Sequence, residues 1–142
     1  MRFMSMIRIH ENTGQVPGEQ LMNDMGKLIE ELTRTGQLID TAGLRPTSEG
    51  VRVRLSRGRL STVDGPFTET KEVIGGYAIL EAKSKAEAVE ITRRFLQVHG
   101  DEWEIECEVR QLDGPEGGQA KGWPGATRLP ASMNSRSATN QR

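Results

Sequence analysis

The sequence contains a single cysteine, Cys107, and only two histidines, His10 and His99, among its 142 residues. One cysteine excludes a disulfide within the chain. The two histidines have no acids at the spacing that a metal site needs. We therefore expect no metal and no organic cofactor. The scarcity of cysteine also fits a reducing, cytoplasmic setting.

The chain also lacks long apolar runs and an excess of charge of either sign. No apolar stretch approaches the roughly 20 residues that a membrane-spanning helix needs, and the charged N-terminal stretch does not resemble a signal peptide. The 19 lysines and arginines are balanced by 20 acids, so the net charge is -1. We expect no membrane contact, and the charge argues against a dedicated nucleic-acid-binding domain, which is usually strongly basic.

Apolar residues become scarce near Asp113. Residues 113–142 contain five glycines and three prolines and end in a stretch rich in Ser, Asn, Thr and Arg. Burial of so few apolar side chains does not offset the entropy lost on ordering, so we predict a flexible C-terminal tail over residues 113–142. Residues 1–112 are long enough to form one domain with its own core.

Residue patterns within 1–112 predict strands and a hairpin. The strand-like segments are residues 3–9, 38–44, 51–55, 60–63, 74–82 and 104–110. Arg57 and Gly58 lie between the third and fourth segments, which predicts a β-hairpin.

Two helices are predicted by 3.6-residue periodicity. Gly36 is the expected stop of the first helix. The apolar stripe of this helix is formed by Leu21, Met22, Met25, Leu28, Ile29 and Leu32. Ser84 and Glu87 have the spacing of a capping box, in which hydroxyl and carboxylate satisfy reciprocal backbone N–H groups. The second helix begins there, ends at Gly100, and has on one face Ala88, Ile91, Phe95 and Val98.

The order of these elements is strand, helix, strand, hairpin, strand, helix, strand. We predict an α+β fold, a ferredoxin-like βαββαβ domain with an inserted β-hairpin. Two helices cover one face of such a sheet, and the other face has no cover within the chain. Because Cys107, Val109 and their neighbours leave apolar side chains for that face, we predict a homodimer whose sheets pack together about a two-fold axis. A monomer with a thinner core is the alternative.

The most informative segment connects the hairpin with the next strand, at residues 63–72, and reads Val-Asp-Gly-Pro-Phe-Thr-Glu-Thr-Lys-Glu. We call residues 64–67 the DGPF turn. Loops held by rigid strands commonly carry function. Asp64 is the candidate catalytic residue, a proton acceptor whose pKa partial burial would raise. The alternative is an Asx-type turn, in which the Asp64 carboxylate accepts a backbone N–H while Gly65 and Pro66 set the backbone. The two roles are compatible.

Six residues on or near this segment are candidates for ligand binding: Arg8, His10, Pro66, Phe67, Glu69 and Lys71. Lys71 or Arg8 would hold an anionic ligand, and Phe67 would stack on it. Alternatively, Phe67 packs in the core or at the dimer contact, and His10 is an ordinary surface residue. The charges at positions 69–72 alternatively form exposed ion pairs, each worth at most about 1 kcal/mol.

The hairpin carries a cluster of four arginines: Arg52, Arg54, Arg57 and Arg59. Such a cluster could contact phosphate groups. No aromatic residue is interleaved with the arginines, however, so the hairpin offers no stacking platform for single strands. We favour the interpretation that the arginines keep a free strand edge from pairing with other chains.

Several of these segments together resemble the YCII-related family, which carries the DGPF motif. The resemblance covers residues 1–112 and rests mainly on positions 1–9, 30–32, 41–46, 64–72 and 75–77. It implies a dimeric α/β barrel built from ferredoxin-like protomers. It implies no single activity, since some members lie beside or are fused to sigma-factor proteins and a few resemble small-molecule enzymes. The His–Asp pair proposed for those enzymes falls here near Met25 and Arg34, so that pair is absent.

Two functions of different classes are favoured, and a third, direct nucleic-acid binding, is disfavoured by the charge. The first is a small-molecule-binding or low-grade enzymatic dimer whose pocket is rimmed by the segment from Asp64 to Lys71. The second is a non-catalytic regulatory or interaction module, linked by the family resemblance to sigma-factor systems, that uses a sheet edge or the basic hairpin. The sequence identifies neither a substrate nor a reaction.

Overall fold

The computed structural model describes residues 1–11, 13–67 and 72–114. Within these residues the helices are α1 Glu19–Arg34, α2 Lys85–His99 and a short 3-10 helix, η1 Thr47–Glu49. The strands are β1 Arg2–Ile9, β2 Leu38–Gly43, β3 Val51–Ser56, β4 Arg59–Asp64, β5 Val73–Glu81 and β6 Glu106–Gln111. The tail predicted for residues 113–142 lies outside the described residues from position 115 onward.

The main sheet has four strands in the order β2-β5-β1-β6, and every neighbouring pair is antiparallel. Together with the two helices, this arrangement confirms the predicted α+β class and is compatible with a ferredoxin-like fold. Strands β3 and β4 form a separate two-stranded sheet between β2 and β5 in sequence. Both residues of its turn, Arg57 and Gly58, have positive φ, as type I′ hairpin turns require.

Helix α1 is amphipathic, but its buried stripe is narrower than predicted. Leu28 and Leu32 are buried, whereas Met22 is 60% exposed, so its assignment to the stripe is wrong. At 3.6 residues per turn, Met22 lies about 80° around the helix from Leu32 and about 120° from Leu28. The helix ends as predicted at Gly36, which has a φ of 80°, and the N–H of Gln37 donates to the carbonyl of Leu32 at 2.9 Å.

Helix α2 begins at the predicted cap. The hydroxyl of Ser84 accepts the N–H of Glu87 at 3.2 Å, while the Glu87 carboxylate accepts the N–H of Lys83 at 3.4 Å. In a capping box the carboxylate accepts the N–H of the cap residue itself, here Ser84. The Glu87 carboxylate instead accepts the N–H of the preceding residue, Lys83. Gly100, with a φ of 77°, ends the helix.

The core lies between the helices and one face of the main sheet. Phe3 of β1, Leu80 of β5 and Leu32 of α1 are its largest fully buried side chains. Ser5, also buried, contacts α2 through a 3.2 Å hydrogen bond between its hydroxyl and that of Thr92. These contacts fix which strand residues point toward the helices.

The opposite face of the main sheet, which we call the open face, has no layer over it within the described residues. Residues opposite each other in antiparallel strands share a face, and Val109 is opposite the buried Ser5. Val109 packs against the core and Cys107 lies on the same side, so the expectation that they supply the uncovered face is wrong. The residues of β6 on the open face are Glu106, Glu108 and Arg110.

Candidate functional site

The DGPF turn is anchored to η1 through the backbone of Gly65. Its N–H donates to the carbonyl of Gly50 at 2.9 Å. A Cβ atom at position 65 would overlap the carbonyl oxygen of Thr47. Only glycine therefore allows the turn to lie this close to η1.

Glu11, two residues after the end of β1, links the turn to the end of the main sheet. One carboxylate oxygen accepts the hydroxyl of Thr47 at 2.6 Å, and the other accepts its backbone N–H at 2.8 Å. These bonds, with the hydroxyl contributing most, lower the pKa of Glu11. The linkage from Glu11 through Thr47 to Gly65 was not predicted, because positions 36 residues apart give no local signal of such a contact.

Arg8 and His10 lie at the same end of β1. Arg8 is on the open face, opposite Ile74 of β5 and Glu106 of β6. Its Nη1 atom is 3.5 Å from Oε1 of Glu108, longer than a charge-assisted hydrogen bond. His10 is 59% exposed, and its Nε2 atom is 3.7 Å from Oε2 of Glu72, beyond hydrogen-bond distance.

The remaining candidates on the DGPF segment differ in their surroundings. Asp64 is exposed at the end of β4, opposite Val51 across the hairpin. Pro66 is also exposed, and the Gly65–Pro66 peptide bond is cis. Phe67 is half-buried, and the guanidinium of Arg52 lies 3.9 Å from its ring centroid. Phe67 is not part of the buried core, and Glu69 and Lys71 lie outside the described residues.

Tyr77 and Cys107 are titratable groups of the main sheet that also have shifted pKa values. The Tyr77 hydroxyl donates to Asp40 at 3.2 Å, and the negative charge of Asp40 raises the pKa of Tyr77. Burial raises the pKa of the Cys107 thiol. Both groups are therefore protonated at neutral pH and are poor nucleophiles there.

Two grooves in the described part of the chain lie away from the DGPF turn. One, of about 370 Å³, lies between α1 and α2 and includes Asp24, Glu31 and Arg94. The other, of about 700 Å³, lies beside the hairpin and includes Arg57 and Leu60. Neither contains a predicted site residue.

Two further observations concern metals and membranes. Within residues 1–11, 13–67 and 72–114, no group of three or more His, Cys, Asp or Glu side chains is placed to hold a metal ion. No helix of this part of the chain is long and apolar enough to cross a bilayer.

Comparison with known families identifies the domain. A model of the YCII-related domain matches residues 1–106. The chain belongs to the YCII-related family. The match includes the DGPF turn and both helices, and it ends at the first residue of β6.

A curated relative of this YCII-related chain is the uncharacterized protein R00369 of Rhizobium meliloti (strain 1021). The two are 33% identical over 75 residues, which is 53% of this chain and 60% of that protein. The aligned part thus spans less than two thirds of the relative, and the relative's name states no activity.

Proposed function

We propose that this YCII-related chain is a homodimer that binds a small anionic molecule between two open faces, with the DGPF turn at the rim of the cleft. The observation that carries the proposal is the linkage of Glu11, Thr47 and Gly65. It ties the turn to the end of β1, where Arg8 and His10 lie. Three separate segments thereby contribute polar groups to one end of the sheet.

The composition of the open face supports a second copy as its cover. Met4 and Met6 of β1 lie opposite Ile79 and Tyr77 of β5, and form an apolar centre. Charged residues border this centre on β6, including Glu108 and Arg110. An apolar sheet face with a polar border is typical of an association surface, and a two-fold axis would place the same face of a second copy against it.

The chemistry around Arg8 supports an anionic ligand. The 3.5 Å separation from Glu108 leaves guanidinium N–H groups able to donate to a carboxylate or phosphate. His10 lies two residues further along the chain and is exposed to solvent. In a catalytic version of the site, Asp64 would accept a proton from the bound molecule.

The dimer is tested by sedimentation of a variant of the open face. Met6→Glu would place a charge in the apolar centre, and we expect the dimer dissociation constant to rise at least about tenfold. Met22→Glu, on the exposed side of α1, is the matched control and should sediment like wild type. Equal behaviour of both variants would contradict a dimer built on the open face.

The ligand is tested by thermal-shift measurements against a library of anionic metabolites. A ligand raises the melting temperature with the logarithm of its concentration over its dissociation constant. Arg8→Gln should remove the shift, and Asp64→Asn should remove any turnover of that ligand. Asp101→Asn, an exposed acid beyond α2, is the control. A shift that survives in Arg8→Gln would place the ligand elsewhere.

A second function, as a non-catalytic regulatory module, is favoured by one observation. The hairpin exposes several large apolar side chains, including Val53, Leu55 and Leu60. Such a surface suits a protein partner. Binding of a purified sigma-factor protein that is lost in Leu55→Ser, while any small-molecule shift is retained, would favour this function.

A further inference from the structure

The hairpin has one apolar face and one basic face, and both are exposed. Leu55 and Leu60 lie opposite each other on the apolar side, together with Val53, and are 68% and 74% exposed. Arg54 and Arg59 lie on the other side, in register with Ser61 and Ser56. A two-stranded sheet alone is marginally stable in water, so this hairpin would gain stability from a further strand.

The β6 edge of the main sheet shows the complementary pattern. Strand β6 pairs with β1 on one side and has no strand on its other side within the described residues. Its open face carries Glu106 and Glu108, followed by Arg110 near the end of the strand, and its helix-facing side carries Cys107 and Val109. Residues 101–108 contain five acids and no basic residue. We call the row Glu104, Glu106 and Glu108 the acidic edge.

We infer that the hairpin of one copy adds to the β6 edge of a second copy and extends its main sheet. Addition of a strand to an exposed sheet edge is a common mode of recognition, because backbone N–H and C=O groups complete the ladder. In a continuous sheet, the arginines of the hairpin would lie on the same face as the acidic edge. The apolar hairpin residues would then lie on the face of Cys107 and Val109. One register would therefore pair opposite charges on one face and apolar side chains on the other.

The position of the hairpin argues for the edge of a second copy over that of its own sheet. The hairpin follows β2, and β2 and β6 are the two opposite edges of the main sheet. Its base is held at η1 by the bond from Gly65 to Gly50, and in the described structure β3 and β4 pair only with each other. Reciprocal exchange of hairpins would form a closed two-fold assembly. The inference rests on the proposed homodimer and specifies a contact beyond the open face.

A charge exchange between two variants tests the contact. The first variant is Arg54→Glu with Arg59→Glu, and the second is Glu104→Lys with Glu106→Lys. Each alone would place like charges opposite each other at both hairpins, so we expect its dimer dissociation constant to rise about tenfold. A mixture of the two restores opposite charges at both contacts, and its heterodimer should form with the wild-type constant. Circular dichroism and thermal melts establish that each variant is folded.

The outcomes separate this contact from the dimer itself. If wild type is a monomer at every concentration, the proposed homodimer and this inference both fail. If wild type is a dimer and neither variant changes its dissociation constant, the inference fails while the open-face dimer stands. Weakened variants that do not recover on mixing would also overturn the contact.

Hydrogen exchange gives a second readout that needs no substitution. Amides of residues 51–63 and 106–111 should become more protected as the wild-type concentration rises through the dimer dissociation constant. Protection confined to the open-face strands β1 and β5 would overturn the inference. The inference would also be overturned if residues 51–63 were protected by a single-stranded oligonucleotide and their protection did not depend on the protein concentration. The arginines would then be assigned to nucleic-acid binding.

Discussion

The main sheet and the hairpin are both built from antiparallel strands that carry apolar side chains, but these side chains are buried to different degrees. Leu80 of β5 is fully buried beneath the helices, whereas Leu60 of β4 is 74% exposed. Both are leucines in antiparallel strands, and the difference comes from what packs against each of them. Apolar alternation therefore predicts that a segment is a strand, whereas burial depends on a neighbouring layer that the segment does not encode.

The largest expected effect is that of truncating Leu80, measured against the same truncation of Leu60 in a separate variant. Leu80→Ala leaves a cavity in a packed core and should lower the free energy of unfolding by about 2–5 kcal/mol. Leu60→Ala removes an exposed side chain and should change it by no more than about 0.5 kcal/mol. Urea unfolding at concentrations where the protein is a monomer measures both. Equal losses would mean that the hairpin is already covered within one chain.

The second prediction concerns the base of the hairpin, where the DGPF turn meets η1. Gly65→Ala would force a methyl group against the Thr47 carbonyl, and we expect a loss of about 1–3 kcal/mol from the resulting backbone shift. Gly43→Ala is the matched control, because the nearest atom to its new methyl would be the Gly75 carbonyl oxygen at 3.9 Å. Comparable urea midpoints for the two variants would show that the turn can move away from η1 at little cost.

These contrasts also explain what could be predicted from the sequence. Strand and helix periods, the cap at Ser84 and the stop at Gly36 are local signals, and they predicted the six strands and two α-helices within a few residues but not η1. The side to which Cys107 and Val109 point depends on the register of β6 against β1, which no local signal specifies. The DGPF turn was recognisable as a candidate site from its residues. Its anchor was not, because Glu11 and Thr47 meet only in the folded chain.

A smaller effect, of opposite sign, is expected in the helical layer that covers the main sheet. Gly26 is inside α1, and a Cβ atom there would have no neighbour within 4 Å. Gly26→Ala should therefore raise the free energy of unfolding by about 0.5–1 kcal/mol, because alanine loses less backbone entropy in a helix. Urea unfolding beside the Leu80 variant provides the measurement. Destabilisation of the monomer would contradict this expectation and would mean that a methyl group at position 26 is not free of neighbours in the folded chain.

The most subtle effect concerns the connection between the two regions at Glu11. Its hydrogen bonds from Thr47 lower its pKa in the folded chain, so it adds stability that is fully present above the unfolded pKa. That stability is lost as the pH falls through the folded pKa. Glu11→Gln should therefore melt below wild type at neutral pH, and the difference should disappear in acid.

Thermal melts from neutral pH into the acid range measure this difference, with Glu30→Gln on the exposed side of α1 as the control for loss of one surface charge. A Glu11→Gln deficit that stays constant with pH would contradict the electrostatic account. The connection between the main sheet and the hairpin would then depend on the packing of the Glu11 side chain and not on its charge. The DGPF turn would therefore keep its position at low pH.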